Sequence, residues 1–107
     1  MNKLINNKKI YAVIICYNAA PVLAETYKRI DKDLFDKIYF FDDNSLDGSA
    51  EIAKQFDWTV IKNEKNLGHG GNLKKALQIA FEDGADYAIE IHADNQYSPN
   101  EIIKAKQ

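Results

Sequence analysis

The chain predicts an α/β fold built on a mainly parallel sheet of about four strands, with helices on both faces. Short runs of β-branched and aromatic residues alternate with segments of helical periodicity through short loops, which is typical of parallel sheets with right-handed crossovers. Polar clusters follow the strands directly, where such sheets bind ligands. With 107 residues and 46% hydrophobic composition, residues 1–107 are expected to form one domain.

The first strand and helix follow from the apolar pattern near the N-terminus. Residues 10–16 form a continuous apolar run rich in β-branched residues, as expected of a strand buried on both faces. Pro21 is tolerated in a first helical turn. Leu23, Tyr27 and Ile30 then recur at helical spacing and predict the first helix.

A second strand and a short helix come next. Residues 37–41 predict the second strand, since all but Lys37 are apolar or aromatic, and residues 42–45 are polar and stop it. Asp47 or Ser49 can cap the following helix, with Glu51 favourably placed in its first turn.

The remaining elements are a third strand, a long helix and a fourth strand. Residues 58–61 predict the third strand and residues 87–91 the fourth. Between them, apolar residues recur at the spacing of one helix face: Leu73, Ala76, Leu77, Ala80 and Phe81. Gly84 marks the end of that helix. From Pro99 onward the sequence predicts the beginning of another helix.

Charge and cysteine content exclude several functional classes. The net charge of -2 gives no electrostatic footprint for nucleic acid, and no apolar run is long enough to span a bilayer. Cys16 stands alone, so no internal disulfide forms and a cytoplasmic location is the default. Cys16 has no neighbouring base in sequence, and we expect it in the core rather than as a nucleophile.

Two polar clusters invite both functional and structural interpretations. Asp42 and Asp43 end the second strand; one acid can accept hydrogen bonds from a ligand while the other caps backbone, or both can belong to a plain turn. Residues 66–71 are glycine-rich and open the long helix, where backbone can approach a phosphate closely. The alternative is a flexible connector, with His69 either a ligand contact or a solvated loop residue.

The stretch 89–98 runs from a buried strand into a polar tip. Period-two geometry puts Glu90, His92 and Asp94 on one face if the strand stays extended. An Asp carboxylate and the carbonyl of Gln96 suit Mg²⁺ or Mn²⁺, and a histidine shifts the preference toward Mn²⁺. Such an ion would neutralise a diphosphate. The alternative is a strand-end turn with a satisfied histidine, and Glu90 has no assigned role.

Four motifs in order resemble the N-terminal half of the family-two glycosyltransferases with the GT-A fold, and most of all the dolichol-phosphate mannose synthase-like branch. They occupy residues 13–18, 40–49, 66–72 and 92–99. The resemblance implies a three-layer, Rossmann-like GT-A half-domain. It also implies a hexosyltransferase-type enzyme whose donor domain binds a UDP- or GDP-sugar through Mg²⁺ or Mn²⁺.

Position by position, the resemblance implies roles for individual residues. The metal ligands would be Asp94, Gln96 and His92. Ala19 stands where the family has Glu, and His92 stands where it has the first Asp of the metal motif. The nucleotide would be bordered by the following residues: Tyr17, Asn18, Asp42, Asp43, Asn66, Gly68, His69 and Gly70.

The resemblance also sets expectations for the rest of the protein. In this family the acceptor-binding half and the catalytic residues follow the metal motif. We therefore expect a donor-binding part that is not competent alone, an acceptor that is a lipid phosphate or a glycan, and membrane association in a longer protein. The last strand would present an open edge liable to self-association.

Three other functional classes are alternatives to a glycosyltransferase. A non-enzymatic nucleotide-binding or interaction module remains open. A sugar nucleotidyltransferase is disfavoured because no Gly-rich loop follows the first strand. A response-regulator receiver is disfavoured because the third strand ends at residues 61–62 without a phosphoacceptor Asp.

Overall fold

A computed structural model of the chain describes residues 7–93 and the backbone of residues 101–104. Two short 3₁₀ turns, Ala20–Val22 and Lys32–Leu34, flank the first helix. Strands and helices alternate as predicted from β1 to β4, and a further strand, β5, follows. The elements are β1 Ile10–Cys16, α1 Leu23–Arg29, β2 Lys37–Asp42, α2 Ser49–Ala53, β3 Thr59–Lys62, α3 Gly68–Glu82, β4 Tyr87–His92 and β5 Glu101–Lys104.

The five strands form one sheet in the order β3-β2-β1-β4-β5. The first four are parallel, and β5 pairs antiparallel with β4. The chain builds outward from β1 through β2 to β3, then returns across the sheet to place β4 on the other side of β1. The carboxyl ends of β1 and β4 therefore flank the point where the strand order reverses, which is where open α/β sheets bind ligands.

The two faces of β1 belong to two separate cores, which makes the molecule three layers thick. On one face Ile14 packs in a cluster with Leu23 of α1 and Ala53 of α2. On the other face Val13 packs in a cluster with Ala76 of α3. Because alternate side chains of a strand point to opposite faces, an uninterrupted apolar run is what this arrangement requires. The predicted three-layer α/β fold with helices on both faces is confirmed.

The long helix α3 ends where the sequence indicates. Gly84 has a φ of 110°, a conformation that a residue with a side chain rarely adopts. Beside it, the carboxylate of Asp83 accepts hydrogen bonds from Lys37 Nζ at 2.8 Å and from the Tyr39 hydroxyl at 2.7 Å. The Lys37 bond is the main reason why the pKa of Asp83 is held below its usual range. This contact fixes the end of α3 to the beginning of β2.

The structure corrects the prediction for the C-terminal segment. The helix expected from Pro99 onward is wrong for residues 101–104, which form β5 and pair with β4 over residues 87–90. Pairing with β4 decides the conformation of residues 101–104. As a strand they form backbone hydrogen bonds with the edge of β4 that β1 does not cover. The prediction of an open edge at β4 is also wrong, because β5 pairs with that edge. The edge of β4 therefore no longer supports the expected self-association.

Three strands differ by one residue at an end from those predicted. β2 extends to Asp42, β3 runs from Thr59 to Lys62, and β4 extends to His92. Among the described helices, none has the length and apolar character that crossing a membrane requires.

The core predicts a large difference between two apolar truncations. Phe40 is fully buried and stacks on Trp58, with ring centroids 5.4 Å apart, whereas Leu46 is 85% exposed. We expect Phe40→Ala to lower the free energy of unfolding by about 3–5 kcal/mol, because it removes a buried ring and leaves a cavity. Leu46→Ala, the matched control, should change it by less than about 0.5 kcal/mol. Urea denaturation followed by circular dichroism measures both, and similar losses in the two variants would contradict the core described here.

Candidate functional site

A cleft of about 320 Å³ opens at the carboxyl ends of β1, β2 and β4, at the point where the strand order reverses. It receives residues from four separate stretches of the chain: Ile15, Cys16, Tyr17, Asp43, Asn66, Gly68, His69, Asn72, His92 and Ala93. Five of the predicted site residues and His92 thus meet in one place.

The turns after β1 and β2 are fastened to each other. Asn18 has a left-handed backbone (φ 53°), a conformation that asparagine tolerates better than most residues. Its backbone N–H donates to Ser45 Oγ at 2.8 Å, and its side-chain Oδ1 accepts from the backbone N–H of Leu46 at 2.9 Å. Asn18 therefore bridges two strand ends rather than lining the cleft, and it leaves Tyr17, 51% exposed, at the cleft wall.

Asp42 is fully buried and serves the turn that follows β2. Its carboxylate accepts the backbone N–H of Ser45 at 2.9 Å and the Ser45 hydroxyl at 2.5 Å. It does not line the cleft. The prediction that one of the two adjacent acids caps backbone therefore describes Asp42 well.

Asp43 reaches across the cleft floor to the start of α3. Its Oδ1 accepts the backbone N–H of Leu67 at 2.7 Å, and its Oδ2 accepts that of Gly68 at 2.9 Å. A carboxylate in this position satisfies N–H groups that the helix leaves unpaired and complements the helix dipole. Asp43 is almost fully buried but borders the cleft, so the same side chain anchors α3 and contributes to the cleft surface.

A buried polar network continues from Asp43 beneath the cleft. Asn63 Nδ2, just after β3, donates to Asp43 Oδ1 at 2.9 Å and to Asn72 Oδ1 at 3.0 Å. Asn72 Nδ2 donates in turn to the carbonyl of Phe41 at 3.1 Å, and Lys75 Nζ donates to Asn63 Oδ1 at 2.7 Å. The network joins the ends of β2 and β3 to the first turns of α3.

The glycine-rich segment is more ordered than a connector. α3 begins at Gly68, so Gly68, His69 and Gly70 lie in its first turn, and Gly68 has a φ of 80°. Gly68 and His69 line the cleft, whereas Gly70 is exposed outside it. Since Asp43 already takes the N–H groups of Leu67 and Gly68, these two are not free for a phosphate.

Two histidines and a buried glutamate meet at one end of the cleft. Glu90 Oε2 lies 3.1 Å from His92 Nε2 and 3.3 Å from His69 Nε2. The two imidazole rings are stacked, with centroids 5.0 Å apart and planes 11° from parallel. Neither contact has hydrogen-bond geometry, so Glu90 Oε2 is buried without a hydrogen-bond partner among the described residues. The shared strand face predicted for Glu90 and His92 is present.

Two of the three predicted metal ligands, Asp94 and Gln96, lie outside the described residues. Only His92 of that set is described, at the end of β4. Cys16 is buried at the cleft floor, and burial raises the pKa of its thiol to about 12. The expectation that Cys16 belongs to the core is confirmed.

Sequence reasoning gave no role to three residues that build this site. Asn63 and Asn72 carry the polar network, and Glu90 completes the histidine cluster. A signal was present for Glu90 and Asn72, because a charged residue inside an apolar strand, or an amide just inside a helix, needs a partner when buried. The partners lie at distant chain positions and could not be identified from spacing.

Known sequences match most of the chain. A sequence model described as Glycosyl transferase family 2 matches residues 11–105. A UDP-N-acetylglucosamine--dolichyl-phosphate N-acetylglucosaminyltransferase of Methanococcus voltae is 30% identical over 94% of this chain and 47% of its own length. A processive diacylglycerol beta-glycosyltransferase of Mycoplasma pneumoniae is 30% identical over 92% of this chain and 31% of its own. The chain spans less than half the length of these relatives.

Solved structures share the fold at lower sequence identity. Mannosyl-3-phosphoglycerate synthase from Rubrobacter xylanophilus superposes with a TM-score of 0.71 at 23% identity, over 86% of this chain and 33% of that one. Glucosyl-3-phosphoglycerate synthase from Mycobacterium tuberculosis, solved with Mn²⁺, uridine diphosphate and glucosyl-3-phosphoglycerate, gives 0.72 at 19% identity, over 82% and 34%. At these identities the likeness shows the fold.

The anchoring role of Asp43 predicts a large stability effect. We expect Asp43→Ala to lower the free energy of unfolding by about 2–4 kcal/mol, because it leaves the N–H of Leu67 without an acceptor and takes one of two acceptors from the Gly68 N–H and the Asn63 amide. Asp57→Ala is the matched control, since Asp57 is exposed in a surface pair with Lys32 and should cost less than about 1 kcal/mol. Thermal or urea unfolding of the two variants distinguishes them, and equal losses would contradict the anchor.

The raised pKa of Cys16 predicts an unreactive thiol. With a pKa of about 12, the thiolate at pH 8 is roughly a thousandfold scarcer than in an ordinary cysteine, and burial blocks access as well. Iodoacetamide should therefore leave the native protein unmodified over hours at pH 8 and alkylate it rapidly in urea, as measured by intact mass. The pKa of the Cys16 thiol is higher in the folded protein than in the unfolded chain. The free energy of unfolding therefore keeps its full value below pH 9 and falls as the pH rises toward 12. Rapid alkylation of the native protein would contradict this prediction.

Proposed function

This chain belongs to glycosyl transferase family 2, and on that premise we propose that its cleft binds the nucleotide-sugar donor of a glycosyltransferase. The resemblance drawn from four sequence motifs is confirmed at the level of family and fold. The proposed donor is a UDP-sugar, and the proposed reaction of the whole protein is transfer of its sugar to a lipid-linked acceptor.

One observation carries the proposal: four clusters that are far apart in sequence line one cleft at the point where the strand order reverses. They are the end of β1, the end of β2, the start of α3 and the end of β4. A plain turn would explain any one cluster, but the parallel sheet brings all four to one edge, where residues of each line a single cleft. In an open α/β sheet this is the ligand-binding crevice.

The chemistry of the cleft wall suits a nucleotide. Tyr17 presents an exposed aromatic ring on which a base can stack. Asn66 and His69 offer amide and imidazole groups for ribose or phosphate oxygens, and Asp43 holds the wall that carries them in place. These residues bind and orient the donor, so that the sugar is presented toward the acceptor.

The nucleotide and the acceptor class are proposed from the named relatives. The Methanococcus voltae relative is named for UDP-N-acetylglucosamine and dolichyl phosphate, and the Mycoplasma pneumoniae relative for diacylglycerol. The Mycobacterium tuberculosis structure contains uridine diphosphate. These names favour UDP over GDP and a lipid over a soluble glycan as the acceptor.

A divalent cation, Mn²⁺ or Mg²⁺, completes the proposed donor site. The donor set fits such an ion, because His92 ends β4 at the cleft beside the unsatisfied buried carboxylate of Glu90. Asp94 and Gln96 would supply the further oxygen ligands. When bound, the cation neutralises the diphosphate and so improves the leaving group.

Calorimetry with UDP and GDP tests this proposal. In the presence of Mn²⁺ we expect UDP to bind the chain, and to bind roughly tenfold or more weakly after the cation is removed with EDTA. Asp94→Ala should reduce UDP affinity to the level seen without metal, because it removes a cation ligand.

Asp57→Ala serves as the control, since Asp57 lies on an exposed surface and its loss should leave UDP binding unchanged. A folded sample that binds neither UDP nor GDP with Mn²⁺ present would overturn the proposed function.

A further inference from the structure

The cluster of His69, Glu90 and His92 offers three metal-ligating groups without Asp94 or Gln96. Its three ligand atoms, two imidazole Nε2 and one carboxylate oxygen, all lie within 4.8 Å of one another. They come from two elements that cross at the cleft, His69 from the first turn of α3 and the other two from β4. Two neutral imidazoles and a carboxylate are the ligands that Zn²⁺ and its transition-metal neighbours prefer.

The buried carboxylate of Glu90 is suited to bind a cation. Its side chain is only 6% exposed, and Oε2 has no hydrogen-bond partner among the described residues. A carboxylate stripped of water is costly unless a charge or a hydrogen bond compensates it. The only groups at this oxygen in the described part of the chain are two imidazole nitrogens, which satisfy it best when all three donors share an ion.

We propose that His69, Glu90 and His92 bind a divalent transition-metal ion, such as Zn²⁺, Co²⁺ or Mn²⁺, even when no nucleotide is present. This goes beyond donor binding, because the ion needs no nucleotide and its ligand set shares only His92 with the predicted ligands Asp94, Gln96 and His92. It also sets a selectivity: a site with two imidazoles favours Zn²⁺ and Co²⁺ over Mg²⁺, which prefers oxygen ligands and retains its water.

The distances agree with metal coordination. A tetrahedral ion with ligand bonds of about 2.0–2.1 Å places its ligand atoms about 3.3 Å apart. The two contacts of Glu90 Oε2, at 3.1 Å and 3.3 Å, have that length. The nearly parallel rings do not both aim at one point, so one ring must tilt to bring the two nitrogens onto one ion. His69 has the room to do so, since its side chain is 56% exposed.

The chain is well suited to a direct test, because it contains only two histidines. Any imidazole bound to a metal must therefore be His69 or His92, provided that the protein carries no histidine tag. Tag-free protein is titrated with Co²⁺, whose visible absorption reports its ligands and geometry, and with Zn²⁺, Mn²⁺ and Mg²⁺ by calorimetry, all without nucleotide. We expect one Co²⁺ or Zn²⁺ per chain, bound roughly tenfold or more tightly than Mg²⁺.

Two ligand variants and one control locate the site. Glu90→Gln and His69→Gln should each weaken Zn²⁺ and Co²⁺ binding roughly tenfold or more, since loss of even an outer partner of a ligand has that effect. His69 is exposed, so His69→Gln tests the site without the risk of unfolding a buried position. Glu51→Gln removes a carboxylate from the exposed face of α2 and should leave metal affinity unchanged.

The outcomes separate this inference from the proposed function. Metal binding in wild type that both ligand variants retain, or no binding of Zn²⁺ and Co²⁺ at all, overturns the metal site. Metal binding that the variants abolish, in a protein that binds neither UDP nor GDP, supports the site while the nucleotide proposal fails. Zn²⁺ and Co²⁺ binding that the variants lose, in a wild-type protein that also binds UDP, supports both proposals.

Discussion

The carboxylate of Asp43 is the constraint on which the rest of the site depends. It ends β2, accepts two backbone N–H groups at the start of α3, and takes the amide of Asn63 from the end of β3. Groups 20 to 25 residues further along the chain, at the end of β3 and the start of α3, are thus held at this one buried carboxylate. This carboxylate therefore anchors the start of α3, which carries His69, beside the cleft.

The buried polar groups around the cleft differ in whether they have hydrogen-bond partners. Beneath it, Asp43, Asn63 and Asn72 satisfy one another, and such a fully bonded network fixes geometry. At its far end, Glu90 is equally buried but has no hydrogen-bond partner within the described chain. Asp42 and Asp43, the other buried acids in the described part of the chain, both accept hydrogen bonds. The exception is informative, because an unsatisfied buried carboxylate is costly and calls for a ligand.

Much of the fold follows from local pattern, and the exceptions have physical reasons. The run Ile10–Cys16 could only be a strand covered on both faces, and α3 shows its apolar stripe in the sequence. The segment from Glu101 to Lys104 was predicted as helix and is a strand, since β4 offers it a backbone partner that local propensity does not reveal. For the same reason, the edge predicted to be open is covered.

The sequence by itself determined the fold class, the family and the places where polar clusters end the strands, because periodicity and motif order are properties of neighbouring residues. It did not assign Asp42 to the turn and Asp43 to the helix start, and it gave no partner for Glu90. Only the tertiary structure decided these, since each depends on which groups from distant stretches meet at the point where the strand order reverses. A buried charge takes its role from those neighbours, and chain spacing does not record them.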